Sequence, residues 1–151
     1  MEFYRFTAED LAMNKKGFMS FSQKKRFLPE IILFLLGAPT MIIVLISSIL
    51  QNAPWPIIIG FSLLVVFTTY FLIIHLLDFF TGRVESVEGA LKVTYKYQKV
   101  PTYVVLNNAV SFDLRYHTMS GRGGIPPIEE QKLYRTFYTK YGHYIVSIEP
   151  L

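Results

Sequence analysis

Ile31 to Leu50 reads IILFLLGAPTMIIVLISSIL, and Ile57 to Leu77 reads IIIGFSLLVVFTTYFLIIHLL. Neither stretch contains Asp, Glu, Lys or Arg. A helix rises about 1.5 Å per residue, so roughly 20 apolar residues cross a hydrocarbon core of about 30 Å. Both stretches reach that length. A secretory signal has a shorter apolar region of about 7–15 residues before a small-residue cleavage site. Here Pro54 follows Ala53 at the one candidate site, and a second apolar run begins at once. A helix apolar around its whole circumference also needs a large protein to bury it, and the remaining chain is short. The expected core of the fold is therefore a two-helix transmembrane hairpin, with spans 31–50 and 57–77.

The rest of the composition agrees. Of 151 residues, 52% are hydrophobic and 17% charged, against about 25% charged in an average soluble domain. Cysteine is absent, which excludes a disulfide, a thiolate nucleophile or a cysteine-ligated metal cluster within the chain. The formal charge of +4 is too mild and dispersed to point to nucleic acid. Lys15, Lys16, Lys24, Lys25 and Arg26 precede the first span, Arg83 and Lys92 follow the second, and the loop Gln51 to Pro56 is uncharged. Cytoplasmic flanks collect Lys and Arg, so both termini are expected in the cytoplasm. Trp55 in the loop sits where an aromatic belt would lie. The basic cluster is a candidate contact for membrane lipids or a partner.

Residues 1–30 read as a cytoplasmic segment with a short amphipathic helix. Thr7-Ala8-Glu9-Asp10 resembles a capped helix start, Gly17 closes that helix, and Ser20-Phe21-Ser22-Gln23 fits a capping box. Gly37-Ala38-Pro39-Thr40 predicts a kink in the first span, tolerated if Thr40 or a neighbouring helix re-satisfies the freed carbonyl. Gly37, Thr40, Val44 and Ser47 share one helix face, as do Gly60, Leu64, Thr68, Phe71 and His75, and these faces are expected to meet.

From Gly82 onward the period changes. Leu91, Val93, Tyr95 and Tyr97 alternate with Lys92, Thr94 and Lys96, the pattern of a half-buried strand. Turn signals at Glu88-Gly89, Asn107-Asn108 and Gly142 divide residues 78–151 into about six short strands. The expected fold class is α+β: the hairpin followed by a small antiparallel β meander or partly closed barrel, SH3-like or OB-like. His117 to Gln131 is the one long irregular stretch.

Little of this points to chemistry. His75 lies in the second span three residues before Asp78, so the two share a helix face. An ionisable group in a span is a functional candidate by default, here for pigment or haem ligation or proton relay. A hydrogen bond to Asp78 or to headgroups is the structural alternative. His117 and His143 have no second ligand at metal-binding spacing. Ser111, Asp113 and His117 make a triad on paper, without a nucleophile elbow. Gly121-Arg122-Gly123-Gly124 lacks the strand-loop-helix context and the Lys of a phosphate loop, although Arg122 remains a candidate partner contact. Eight tyrosines lie among basic residues in the C-terminal part, but residues 78–151 carry nine basic and seven acidic side chains. Nucleic acid is not the expected ligand, and neither a metal nor a cofactor is expected.

With Asn14, Gly17, Ser20 and Gln23, the chain resembles a group of small bacterial membrane proteins with an Asn-x-x-Gly-x-x-Ser-x-x-Gln segment before a membrane hairpin. These end in a Tyr-rich strand pair, matched by Tyr134 to Tyr144 and closing on Ser147-Ile148-Glu149. The resemblance implies a bacterial inner-membrane protein and carries no activity. In layout alone the chain is similar to membrane-anchored OB-fold proteins that accompany membrane proteases, in which the barrel follows more spans. The functional expectation is a non-catalytic accessory subunit in contact with lipids and other integral membrane subunits. A freestanding tethered binding module using the 117–131 loop is the alternative, and a cofactor carrier or enzyme centred on His75 is the third.

Overall fold

Thr7 and Ser20 each open a helix in the same way. The Thr7 hydroxyl accepts the Asp10 N–H while the Asp10 carboxylate accepts the Thr7 N–H, and α1 runs Ala8–Lys15. The Ser20 hydroxyl accepts the Gln23 N–H while Gln23 Oε1 accepts the Ser20 N–H, and α2 runs Phe21–Leu50. Each box satisfies two backbone donors that a helix start otherwise leaves open. The computed structural model describes residues 7–96, 100–107, 110–116, 129 and 132–151.

The second helix starts where the Ser20 capping box places it, ten residues before the apolar run. The basic segment and the span are one continuous helix of 30 residues, with Pro29 and Pro39 inside it. Each proline removes a single N–H, and the helix continues through both. The Thr40 hydroxyl donates to the Leu36 carbonyl at 2.8 Å. This is one residue beyond the Leu35 carbonyl that Pro39 deprives of its partner, so Thr40 does not supply the repair at Leu35.

A four-residue loop reverses the chain. Asn52 takes a left-handed φ of 52°, which its short polar side chain tolerates, and the Ala53 N–H returns to the Ser48 carbonyl. The third helix, α3, runs Trp55–Thr81 and ends at Gly82, whose φ of +59° closes the helix through an N–H to the Asp78 carbonyl. The two long helices meet through Ala38 and a stacked pair, Phe34 on Phe71, with centroids 5.9 Å apart. Of the faces expected to meet, Phe71 and His75 on α3 reach α2 at Phe34 and Glu30, whereas a Cβ added at Gly37 or Gly60 would meet nothing within 4 Å. Elsewhere the helices expose Leu36, Ile43, Leu63 and Val66 by about two thirds of their surface. Both are long and apolar enough to span a membrane.

Five strands are described: β1 Val84–Lys96, β2 Val100–Asn107, β3 Val110–Tyr116, β4 Leu133–Thr139 and β5 Tyr144–Pro150. The expected turn at Glu88-Gly89 is absent. Glu88 pairs with Arg135 and Gly89 with Tyr134, so β1 runs straight through. Its first half is hydrogen-bonded to β4 and its second half to β2. A strand with a partner on a different side at each end has no reason to fold back. The strand order β1-β2-β3-β5-β4 returns to β1 and closes a ring. All pairs are antiparallel except β3 with β5, which meet in parallel at two residue pairs. The Asn107-Asn108 turn lies partly, and the 117–131 loop mostly, outside the described residues.

The helices pack on one face of β4 and β5. Phe137 pairs with Ser147 and Tyr138 with Ile145, which leaves Val146 without an opposite residue. Such a bulge re-aims its side chains. Val146 joins Met19, Phe27, Ile31, Val84, Phe137 and Tyr144 in one buried cluster between helices and sheet. Val87, Leu91, Ile145 and Ile148 are buried as well.

Gly82 tests this joint. An added Cβ would stand 2.5 Å from Lys24 Cε in a left-handed backbone conformation. Gly82→Ala is expected to lower stability by about 1–2 kcal/mol or more, read by thermal unfolding in detergent. Gly37→Ala, whose Cβ points into open space, is expected to stay within about 0.5 kcal/mol.

Candidate functional site: a polar junction between hairpin and sheet

Where the long helices reach the sheet, charged and polar side chains are buried together. Asp78, in the last turn of α3, is fully buried. Its carboxylate accepts the N–H groups of Tyr141 at 3.0 Å and Gly142 at 2.9 Å. These belong to the turn between β4 and β5, so the sheet's hairpin is pinned to the helix end. Glycine is required at 142, because a Cβ there would lie 2.2 Å from the Tyr144 ring and 2.7 Å from the Asp78 carboxylate.

One turn earlier, His75 faces α2. Its Nδ1 lies 2.7 Å from the Phe71 carbonyl and its Nε2 lies 3.1 Å from Glu30 Oε2. A carbonyl only accepts, so Nδ1 carries a hydrogen. The imidazole and carboxylate side chains are 3% and 7% exposed. Around them stand Tyr144 at 5.2 Å, Phe34 at 5.3 Å and Phe27 at 6.3 Å between ring centroids. The partner of His75 is thus Glu30 and not the expected Asp78. Asp78 is already occupied by two backbone donors, and Glu30 stands at the height of His75 on the neighbouring helix.

Two further clamps complete the junction. Gln23 donates to the Val146 carbonyl at 3.2 Å, and Asn14 donates to the Ser147 hydroxyl at 2.6 Å. Lys15 forms an ion pair with Glu149 at 2.6 Å. The link between α1 and α2 adds a short backbone bridge, with Met19 N–H to the Gly82 carbonyl and Val84 N–H to the Gly17 carbonyl. Asp10 braces the corner where α1 turns into α2. Burial alone would push its carboxyl up. Hydrogen bonds from the Ser20 and Ser22 hydroxyls and the Thr7 N–H, with the nearby charge of Arg26, outweigh burial and hold it below the usual value.

The basic cluster divides. Lys15 is spent on Glu149, and the end of Lys24 passes over Gly82. The Lys25 ammonium lies 4.7 Å from the centre of the exposed Phe21 ring. Lys16 is exposed, and half-buried Arg26 acts on Asp10. Trp55, the first residue of α3, is 75% exposed. Arg122 and His117 lie outside the described residues, so the Ser111–Asp113–His117 arrangement does too. Among the described residues no group of three or more His, Asp or Glu could hold a metal ion.

Glu30 is the functional side chain that sequence reasoning missed. It sits one residue before the charge-free run and so was counted outside the span. The available signal was symmetry: Glu30 and His75 lie equally far along the chain from the loop between the spans, as do Phe34 and Phe71. An antiparallel hairpin places such residues side by side.

Asp78→Ala strips two turn N–H groups of their acceptor, and each buried donor left unpaired costs about 1–3 kcal/mol. The expected result is a marked fall in unfolding temperature and faster proteolysis at residues 140–143. For Asp10, the unfolded chain binds a proton near 3.8 while the folded chain still resists it. The stabilisation from Asp10 is therefore complete above that pH and lost as pH falls through the lowered folded value. Acid unfolding of Asp10→Asn should show a shallower pH dependence in that window than the native sequence.

Compared with protein-family models, curated proteins and solved structures, the chain matches none of them.

Proposed function

We propose that this chain is a two-pass protein of the bacterial inner membrane, with both termini and the β domain in the cytoplasm, acting as a non-catalytic accessory or stabilising subunit of a larger membrane assembly. One observation carries the reading. All three helices end in hydrogen bonds or ion pairs to the β4–β5 unit, through Asn14, Lys15, Gln23 and Asp78. The β domain is therefore held in a set orientation on the helix pair, and a partner that holds the hairpin also positions the domain. The buried polar groups of the junction serve this clamp. Along the spans, the exposed apolar faces offer surface to lipid or to other subunits. The charge-free loop and the basic flank support the orientation. The resemblance to small two-span bacterial proteins is part of the same proposal.

A second reading is a freestanding tethered binding module. The closed five-strand order with a parallel β3–β5 pair favours it, since this is the connectivity of OB-like barrels, a type used for ligand binding. For the cofactor carrier, His75 is a poorer centre than its position suggests, because each ring nitrogen is within hydrogen-bond distance of a chain oxygen.

Extraction of native membranes in mild detergent, with composition read by mass spectrometry, tests the proposal. A stoichiometric larger complex is expected. Replacing residues 31–77 by an unrelated hairpin should abolish co-purification, and deleting Gly121 to Gly124 should not. Recovery of the lone chain would sink the subunit reading in favour of the binding module.

A further inference from the structure

Both long helices outrun a hydrocarbon core. With 30 and 27 residues they extend about 45 and about 40 Å, against about 30 Å of hydrocarbon and about 40–45 Å with the headgroups. If exposed Trp55 marks the outer interface, the end of α3 reaches the headgroups of the other leaflet. We propose that Arg83, Lys140 and Lys24, gathered at that end, bind the phosphate of an anionic lipid in the leaflet beside the β domain. This rests on the two-span reading and adds the ligand class and the residues that take it.

Backbone pairing brings the cations together from separate parts of the chain. Phe18 and Arg83 form an antiparallel bridge. It is flanked by the Met19 N–H to the Gly82 carbonyl at 2.7 Å and the Val84 N–H to the Gly17 carbonyl at 2.9 Å. Bonds that flank a pair leave its two side chains in the closer of the two antiparallel arrangements. Met19 and Val84 belong to the buried cluster. By alternation Phe18 and Arg83 point to the opposite side, where both are exposed. The Lys140 N–H donates to the Arg83 carbonyl at 3.2 Å. The register Val84↔Thr139, continued by one residue, sets Arg83 opposite Lys140, which is exposed too. From the first turn of α2, the Lys24 ammonium lies against Gly82, the residue before Arg83.

Among the described residues, Lys24, Arg83 and Lys140 form no ion pair. The acids close by in sequence are engaged elsewhere. Asp78 is turned to the Tyr141 and Gly142 N–H groups, and Glu85 accepts the Tyr138 hydroxyl at 3.4 Å. The carbonyl end of α3 offsets part of the positive charge, and an anion would offset the rest. A phosphate suits these side chains, since a guanidinium holds two of its oxygens in a fork and ammonium groups add point charges. Phe18 is 49% and Phe80 74% exposed at the same end of the helix pair. Such rings lie in the boundary between headgroups and acyl chains. Free phosphate would meet the cations but not the rings, so the lipid is the occupant.

The full chain in neutral detergent is titrated with phosphatidylglycerol or phosphatidylcholine, and bound lipid is counted by native mass spectrometry. Phosphatidylglycerol should bind more tightly. A cation beside an anionic lipid is worth about fivefold in affinity. Arg83→Gln and Lys140→Gln should each weaken phosphatidylglycerol by about that factor and leave phosphatidylcholine unchanged. Lys132→Gln, which removes an exposed ammonium paired with Glu129 at 2.8 Å, should keep the native preference. Equal binding of the two lipids, or an Arg83→Gln/Lys140→Gln double variant with the native preference, would overturn the proposal. So would a double variant that only unfolds at lower temperature, since the cations would then serve the α3 end alone. Displacement of the lipid by an equal concentration of inorganic phosphate would make this a free-anion site and overturn the lipid assignment. Alkaline carbonate extraction separates the two levels. A chain released from native membranes refutes the two-span reading and the site with it, whereas a retained chain without lipid preference refutes the site alone.

Discussion

Everything in this molecule turns on how a pair of apolar helices is allowed to end against a β-sheet. Helix ends leave backbone groups open, and a sheet face laid over them removes the water that would otherwise satisfy them. Here each end is met by a particular side chain. Ser20 and Gln23 close the start of α2, and Gln23 also reaches β5. Gly82 closes α3, and Asp78 extends from that last turn to cap the sheet's own hairpin. The apolar cluster of Phe27, Phe137, Tyr144 and Val146 forms between these clamps. Its location is set by the polar groups around it, because apolar burial has no direction of its own.

The clamp also explains why charged groups are tolerated so close to the apolar spans. Asp78 is buried with two backbone donors, and Glu30 is buried against His75. A buried charge that is paired and hydrogen-bonded specifies one arrangement, since any shift leaves it uncompensated. The bulge at Val146 serves the same end. By placing an extra residue in β5, it brings the Val146 carbonyl to Gln23 and the Ser147 hydroxyl to Asn14 in consecutive residues.

Much of the local structure was legible from the chain itself. Both capping boxes, the glycine closures after α1 and the β4–β5 turn at Gly142 occur where their short-range patterns place them, because capping and turn chemistry involve neighbours within a few residues. The apolar runs were readable for the same reason: length and lack of charge are properties of a segment. Glu88-Gly89 misled because a turn dipeptide is a statement about local preference. Strand pairing to Arg135 and Tyr134, more than forty residues away, overrides it.

What the sequence determined by itself was therefore the set of elements and their apolar character: two long helices, short capped starts and alternating strands. What the tertiary structure alone decided was which polar side chains face each other. Phe71 lay on the face expected to meet the first helix and does so, but against Phe34, while Gly37 and Gly60 of the same expected faces stand open. His75 looked toward Asp78 along its own helix and instead met Glu30 across the hairpin. Periodicity gives the face of one helix, but the rotation of one helix against another follows from how their side chains interlock. That depends on both helices, and on the sheet that covers their ends.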